Sequence, residues 1–150
     1  MRILFANAAH PEPLLLHRLR GDLESLGAKG SGGPPLGVLD DAQYKNCECP
    51  MAVDDFIMLF TDGLFEVAAP DDEIYSRERL MAAVRKRVSL PSAIMLAELF
   101  GEIRHFSKGI EFSDDVCLVA MDIKRLSDAG MAPAVQNRTD PCPIGGLPDS

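Results

Sequence analysis

No apolar run in this sequence approaches the roughly 20 residues that a helix needs to cross a bilayer. Met1-Arg2-Ile3-Leu4-Phe5-Ala6-Asn7 is too short for a secretory h-region and carries no small-residue cleavage site. The expected setting is therefore cytoplasmic, with no membrane partner for this segment. Basic charge is scarce: 15 Lys and Arg stand against 23 Asp and Glu, a formal net charge of -8. A nucleic-acid backbone is not an expected partner for such a surface. Cys47, Cys49, Cys117 and Cys142 include no CxxC pair, and their spacing is wrong for a zinc knuckle. Reduced thiols are expected, with Cys47 and Cys49 acting as small hydrophobes along a strand. The loop Gly27 to Gly37 is rich in glycine and proline but has no Lys-Ser or Lys-Thr after it, so it is no P-loop. It also lacks the strand-to-helix setting of a dinucleotide fingerprint.

What the sequence does have is an ordinary globular composition, 47% hydrophobic and 25% charged over 150 residues, enough for one domain with a real core. Its centre is Asp55-Phe56-Ile57-Met58-Leu59-Phe60-Thr61-Asp62-Gly63-Leu64-Phe65-Glu66. An unbroken apolar run that stops at a carboxylate and a glycine fits a strand buried on both faces. Asp62 then leaves the core on a rigid support, as a metal ligand or general base requires. Taken alone, the stretch favours Asp62 as a turn residue that caps the following segment, because Asp-Gly is common turn chemistry.

Around this strand the sequence predicts a hairpin from Arg2–Ala6 and Leu14–Leu19, joined by a turn with Pro11 and Pro13. His17 is expected to point outward or to sit half-buried with its bonds satisfied. Short strands are predicted at Leu23–Leu26 and Tyr44–Pro50. Helices are predicted over Arg77–Val88, with Leu80, Val84 and Val88 on one stripe, and just after Pro91, with Leu96, Leu99, Phe100 and Ile103 facing the core. Val116–Met121 is a second continuous apolar run, hence a second buried strand. Residues 127–150 shift to Pro, Gly, Ala and polar residues without period and read as a disordered tail, so the domain is drawn at 1–126.

Asp114 and Asp115 lie just before that second strand, as Asp62 lies just after the first. Were the two strands antiparallel neighbours, these carboxylates would meet; were they parallel, they would sit at opposite ends of the sheet. Carboxylates converging without His or Cys favour hard cations such as Mg²⁺ or Mn²⁺.

The order Asn7-Ala8-Ala9-His10-Pro11-Glu12-Pro13, then Pro35-Leu36-Gly37-Val38, then Leu59-Phe60-Thr61-Asp62-Gly63-Leu64-Phe65-Glu66, then Ser113-Asp114-Asp115-Val116 resembles the bacterial stage II sporulation protein E type of phosphatase. These proteins belong to the metal-dependent protein phosphatases and are similar to protein phosphatase 2C. The resemblance implies an αββα sandwich of two mainly antiparallel sheets flanked by helices, an α+β fold. It implies hydrolysis of phosphoserine or phosphothreonine by water activated at a two-metal Mn²⁺ or Mg²⁺ site, without a phosphoenzyme. Carried over by position, Asp62 and Asp114 become metal ligands and Asp115 an alternate ligand or neighbouring support. Gly63 gives the close backbone approach, while Asn7 and His10 shape the turn near the site and are not catalytic. The implied partner is a phosphorylated protein, of the kind of an anti-sigma-factor antagonist, in signal transduction that controls a sigma factor. The family's Gly-Asp element, which supplies the bridging aspartate, is expected before residue 1, so the chain reads as the C-terminal half of the domain. Ala9 and Asp54 stand where the family usually has glycine, and Ala9 is expected to strain its turn. A competing expectation is a non-catalytic half-domain that binds a partner, or itself, through bare sheet edges.

Overall fold

The computed structural model describes residues 2–27, 32–125 and 140–141. The strands are β1 (Arg2–Phe5), β2 (Leu14–His17), β3 (Asp22–Ser25), β4 (Cys47–Pro50), β5 (Phe56–Phe60), β6 (Leu118–Asp122) and β7 (Asp140–Pro141). A short 3-10 helix covers Asp62–Phe65, and the α-helices are α1 (Arg77–Arg85) and α2 (Ser92–Phe106). They build a four-stranded antiparallel sheet in the order β3-β2-β5-β6 and a three-stranded sheet β1-β4-β7, whose β4–β7 pairing is parallel.

The four-stranded sheet is buried on both faces at its centre. Leu14, Leu16, Phe56, Met58 and Phe60 point to one side, where Leu80 and Val84 of α1 and Met95, Leu99 and Ile103 of α2 cover them. Leu15 and Ile57 point to the other side, against Cys49, Met51 and the half-buried Ile3 and Phe5 of the second sheet. That alternation follows from the two-residue period of a strand, and it explains why Leu14-Leu15-Leu16 and Phe56–Phe60 read as continuous apolar runs. Among the described residues, both helices lie on the four-stranded sheet, giving a helix–sheet–sheet stack.

Three expectations are corrected. β1 and β2 do not pair: β1 runs antiparallel to β4, with Leu4 opposite Glu48, while β2 pairs with β3 and β5. The intervening segment carries Pro11 and Pro13, which donate no ladder hydrogen bond, and it takes the chain from one sheet to the other. The tight hairpin is instead β2–β3, closed where the amides of Arg20 and Gly21 both donate to the His17 carbonyl. Gly21 holds φ 73°, a left-handed value that suits glycine. The second correction concerns β6, which is an edge strand among the described residues and half-exposed rather than buried, with Val119 48% and Met121 42% accessible. In α2, finally, the buried stripe is Met95, Leu99 and Ile103, while Phe100 faces out and packs its ring on Phe112. The expectation for 127–150 lies outside the described residues, apart from the two of β7.

Buried polar groups lock the ends of the sheet. His17 is buried: its Nδ1 lies 3.0 Å from Asp55 Oδ2 and its Nε2 lies 2.9 Å from Glu24 Oε1, joining β2, β3 and the start of β5. Asp55 is only 2% exposed and also accepts from the Ala52 amide. Arg18 donates to the carbonyls of Val88 and Leu90 and to Ser92, so the α1–α2 connection is tied to β2. Tyr75, fully buried, donates to Glu102; burial first, and then the Glu102 carboxylate, push its phenol well above the ordinary value. Two non-glycine residues adopt left-handed backbone where glycine was expected, Ala9 at φ 61° and Asp54 at φ 68°. For alanine that conformation costs about 1–2 kcal/mol, whereas an aspartate tolerates it better.

Candidate metal centre

β5 and β6 are antiparallel neighbours, paired from Phe56 opposite Asp122 to Phe60 opposite Leu118. The exit of β5 therefore lies beside the entrance of β6, and the two carboxylate segments meet. Asp62 opens the short 3-10 helix directly after β5; Asp114 and Asp115 occupy the loop running into β6. All three residues are exposed. Their contact point is Gly63, which is buried. A Cβ placed there would lie 2.7 Å from the Asp115 carbonyl oxygen and 3.2 Å from Asp114 Cβ. Glycine is thus required here by lack of space, since the obstructing atoms include fixed backbone.

Thr61, just before Asp62, joins the two segments. Its hydroxyl donates to the Asp115 carbonyl at 2.7 Å and accepts from the Cys117 amide at 2.9 Å. Its own amide donates to the Cys117 carbonyl at 3.1 Å. Within the loop the Asp115 amide donates to Asp114 Oδ1 at 2.7 Å, a local bond that turns the chain into β6. Thr61 was not singled out from the sequence. Its place between strand end and carboxylate was visible, but its partners are backbone atoms more than 50 residues away.

Asn7 and His10 form a closed turn after β1. Asn7 Nδ2 donates to the His10 carbonyl and Asn7 Oδ1 accepts the His10 amide, both at 2.8 Å. The exposed His10 ring turns Nδ1 to the Pro11 carbonyl. Both residues line an apolar cavity of about 280 Å³ between the sheets, together with Ile3, Phe5, Leu59 and Met121. They border β5 but are not joined to Asp62 or Asp114 by any described hydrogen bond. A buried polar cluster, His17 with Asp55 and Glu24, lies at the opposite end of β5, and both ring nitrogens are already engaged there.

The carboxylates present suit a divalent cation in kind, because oxygen donors without imidazole or thiolate match Mg²⁺ and Mn²⁺. The glycine cradle lets the two carboxylate-bearing segments come together. In number they fall short: among the described residues no cluster of three or more His, Cys, Asp or Glu is placed to hold a metal ion. Asp62 and Asp114 alone offer fewer oxygens than the six or more that a hard divalent cation takes. Gly63→Ala is expected to push the Asp114–Asp115 loop away from β5, at a cost of about 1–3 kcal/mol as the overpacked backbone shifts. Denaturant unfolding measures the loss, and a change below about 0.5 kcal/mol would show the loop to be slack.

In fold the chain is part of a protein phosphatase 2C-like domain. It matches the SiaA-PP2C domain of Pseudomonas aeruginosa with a TM-score of 0.66 at 19% identity, over 81% of this chain and 46% of that one. It matches the SpoIIE PP2C phosphatase domain with a regulatory fragment, from Bacillus subtilis, with a TM-score of 0.61 at 15% identity, over 82% of this chain and 35% of that one. The family model described as stage II sporulation protein E covers residues 1–124, and the chain belongs to that family. Among curated relatives it is 26% identical over 123 residues to phosphoserine phosphatase RsbP of Bacillus subtilis, which is 82% of this chain and 28% of that protein. The chain thus spans less than half the length of each of these relatives. Among the described residues no helix is long and apolar enough to cross a membrane.

Proposed function

We propose that this chain supplies part of the metal centre of a protein serine/threonine phosphatase, acting in the cytoplasm on a phosphorylated protein of the anti-sigma-factor-antagonist kind. The observation that carries the reading is the antiparallel β5–β6 pair, which sets Asp62 and the Asp114–Asp115 loop side by side across Gly63. Family membership and a relative described as a phosphoserine phosphatase support the same chemistry. Asp62 and Asp114 would hold Mn²⁺ or Mg²⁺, and Asp115 would stand beside them as an alternate ligand. A bound divalent cation lowers the pKa of a coordinated water and neutralises charge on a phosphoryl group. The chain's own residues orient the donors: Gly63 gives the loop room and Thr61 ties it to β5. Asn7 and His10 hold the neighbouring turn closed and take no proton in the reaction.

A second reading, a protein-binding half-domain that pairs with a partner or with itself, draws support from β6, which is an edge strand among the described residues. Val119 and Met121 are exposed there, beside the apolar cavity between the sheets. Mn²⁺ titration and hydrolysis of a phosphoserine peptide by the isolated chain separate the two. Weak Mn²⁺ binding with little turnover is expected from a partial donor set. Robust metal-dependent hydrolysis by this chain alone contradicts the partial site. Dimerisation without any Mn²⁺ binding favours the second reading.

A further inference from the structure

The ladder between β5 and β6 ends at Phe60 opposite Leu118, one residue short of the candidate site. Beyond it one backbone bond remains, from the Thr61 amide to the Cys117 carbonyl, and the Thr61 side chain adds two more to the β6 approach. One hydroxyl serves as donor to the Asp115 carbonyl and as acceptor for the Cys117 amide. The residues it binds lie on either side of Val116, so the bonds fix both the position and the direction of the chain leaving Asp115. On the far side of Asp62, Gly63 presses against the Asp114 and Asp115 backbone with no room for a methyl group. The carboxylate of Asp62 is thus flanked by two contacts to the same facing loop, one bonded and one steric. The single hydroxyl proton of Thr61 is spent on Asp115, so the residue acts through its neighbours rather than as a donor to substrate. β-Branching restricts its rotamer and keeps the hydroxyl aimed.

We propose that Thr61 is a positioning residue of this site, setting the distance between Asp62 and the Asp114–Asp115 loop and so the affinity for a divalent cation. The inference rests on the reading of Asp62 and Asp114 as ligands. Residues that orient metal ligands typically change affinity by 10–100-fold when altered. Thr61→Val keeps the shape and removes the hydroxyl; Thr61→Ser keeps the hydroxyl.

The test uses the full chain, with Mn²⁺ affinity from calorimetry and amide exchange at Cys117 from NMR. Thr61→Val is expected to weaken Mn²⁺ binding about tenfold and to speed exchange at the Cys117 amide. Thr61→Ser is expected to recover most of both. Thr61→Ala replaces the valine variant if circular dichroism shows that valine unfolds the chain. Wild-type Mn²⁺ affinity in Thr61→Val, with binding lost in Asp62→Asn, overturns the positioning role and leaves the metal reading standing. Unchanged binding in both variants overturns the metal reading and the positioning role with it. Serine that fails to restore affinity while the fold is intact also overturns the proposal, because the hydroxyl would not be the active group.

Discussion

Asp62→Asn and Asp114→Asn are each expected to cut phosphatase turnover by about a hundredfold, equal to about 2.7 kcal/mol of lost transition-state stabilisation, in a domain whose donor set is complete. The carboxamide keeps the shape of the side chain but removes the charge that binds a hard cation. Both residues are exposed, so stability is expected to stay within about 0.5 kcal/mol of the parent. The split between activity and stability is the informative feature. A turn residue, the alternative that the Asp-Gly dipeptide admits, would lose stability and leave turnover alone. Steady-state hydrolysis of a phosphoserine peptide, paired with denaturant melts, reads both quantities. Unchanged turnover in both variants would remove the metal assignment.

The largest loss of stability is expected at the other end of β5. Asp55→Ala removes the acceptor shared by His17 Nδ1 and the Ala52 amide, at 3.0 and 2.8 Å. A buried donor left without a partner costs about 1–3 kcal/mol; that fate falls on His17 Nδ1, while the Ala52 amide, on an exposed residue, can turn to water at smaller cost, giving about 2–3 kcal/mol in all. A small domain holds only about 5–15 kcal/mol in total, so the variant is expected to sit near the edge of folding. Replacing His17 by leucine in the same chain is expected to recover part of the loss, because the orphaned ring nitrogen goes with it. Chemical denaturation of the two single variants and the double variant measures this directly. Simple additivity would show that His17 and Asp55 do not act together.

How much of this could be read from the chain differs by element. β5 was legible because a run of five apolar residues ending at Asp62-Gly63 has few other uses, and its core position follows from burial on both faces. β6 looked the same in composition, yet Val119 and Met121 are exposed. Apolar side chains on both faces do not tell an edge strand from a central one, since the distinction lies in which strand is next door. The β1–β2 hairpin failed for a related reason: nearness in sequence suggested pairing, while the two-proline segment carries the chain between sheets. In α2 the apolar arc is wide enough to offer two stripes, and packing chose Met95 over Phe100. The strands around Asp62 and Asp114 could be placed by sequence, but the direction of their pairing could not, and the site depends on that direction. Thr61 was hidden more deeply, because its role is a pair of bonds to backbone atoms that any sequence could have presented.

On the proposed reading, Asp62 and Asp114 would hold a divalent cation between them. Paramagnetic broadening of amide resonances during a Mn²⁺ titration of this chain tests it most directly, since the effect falls steeply with distance from the ion. Broadening centred on residues 61–64 and 113–117 together, and lost in Asp62→Asn, is the predicted result. Broadening centred on the acidic stretch Asp71–Asp72–Glu73 instead, or spread evenly over the surface, would contradict it.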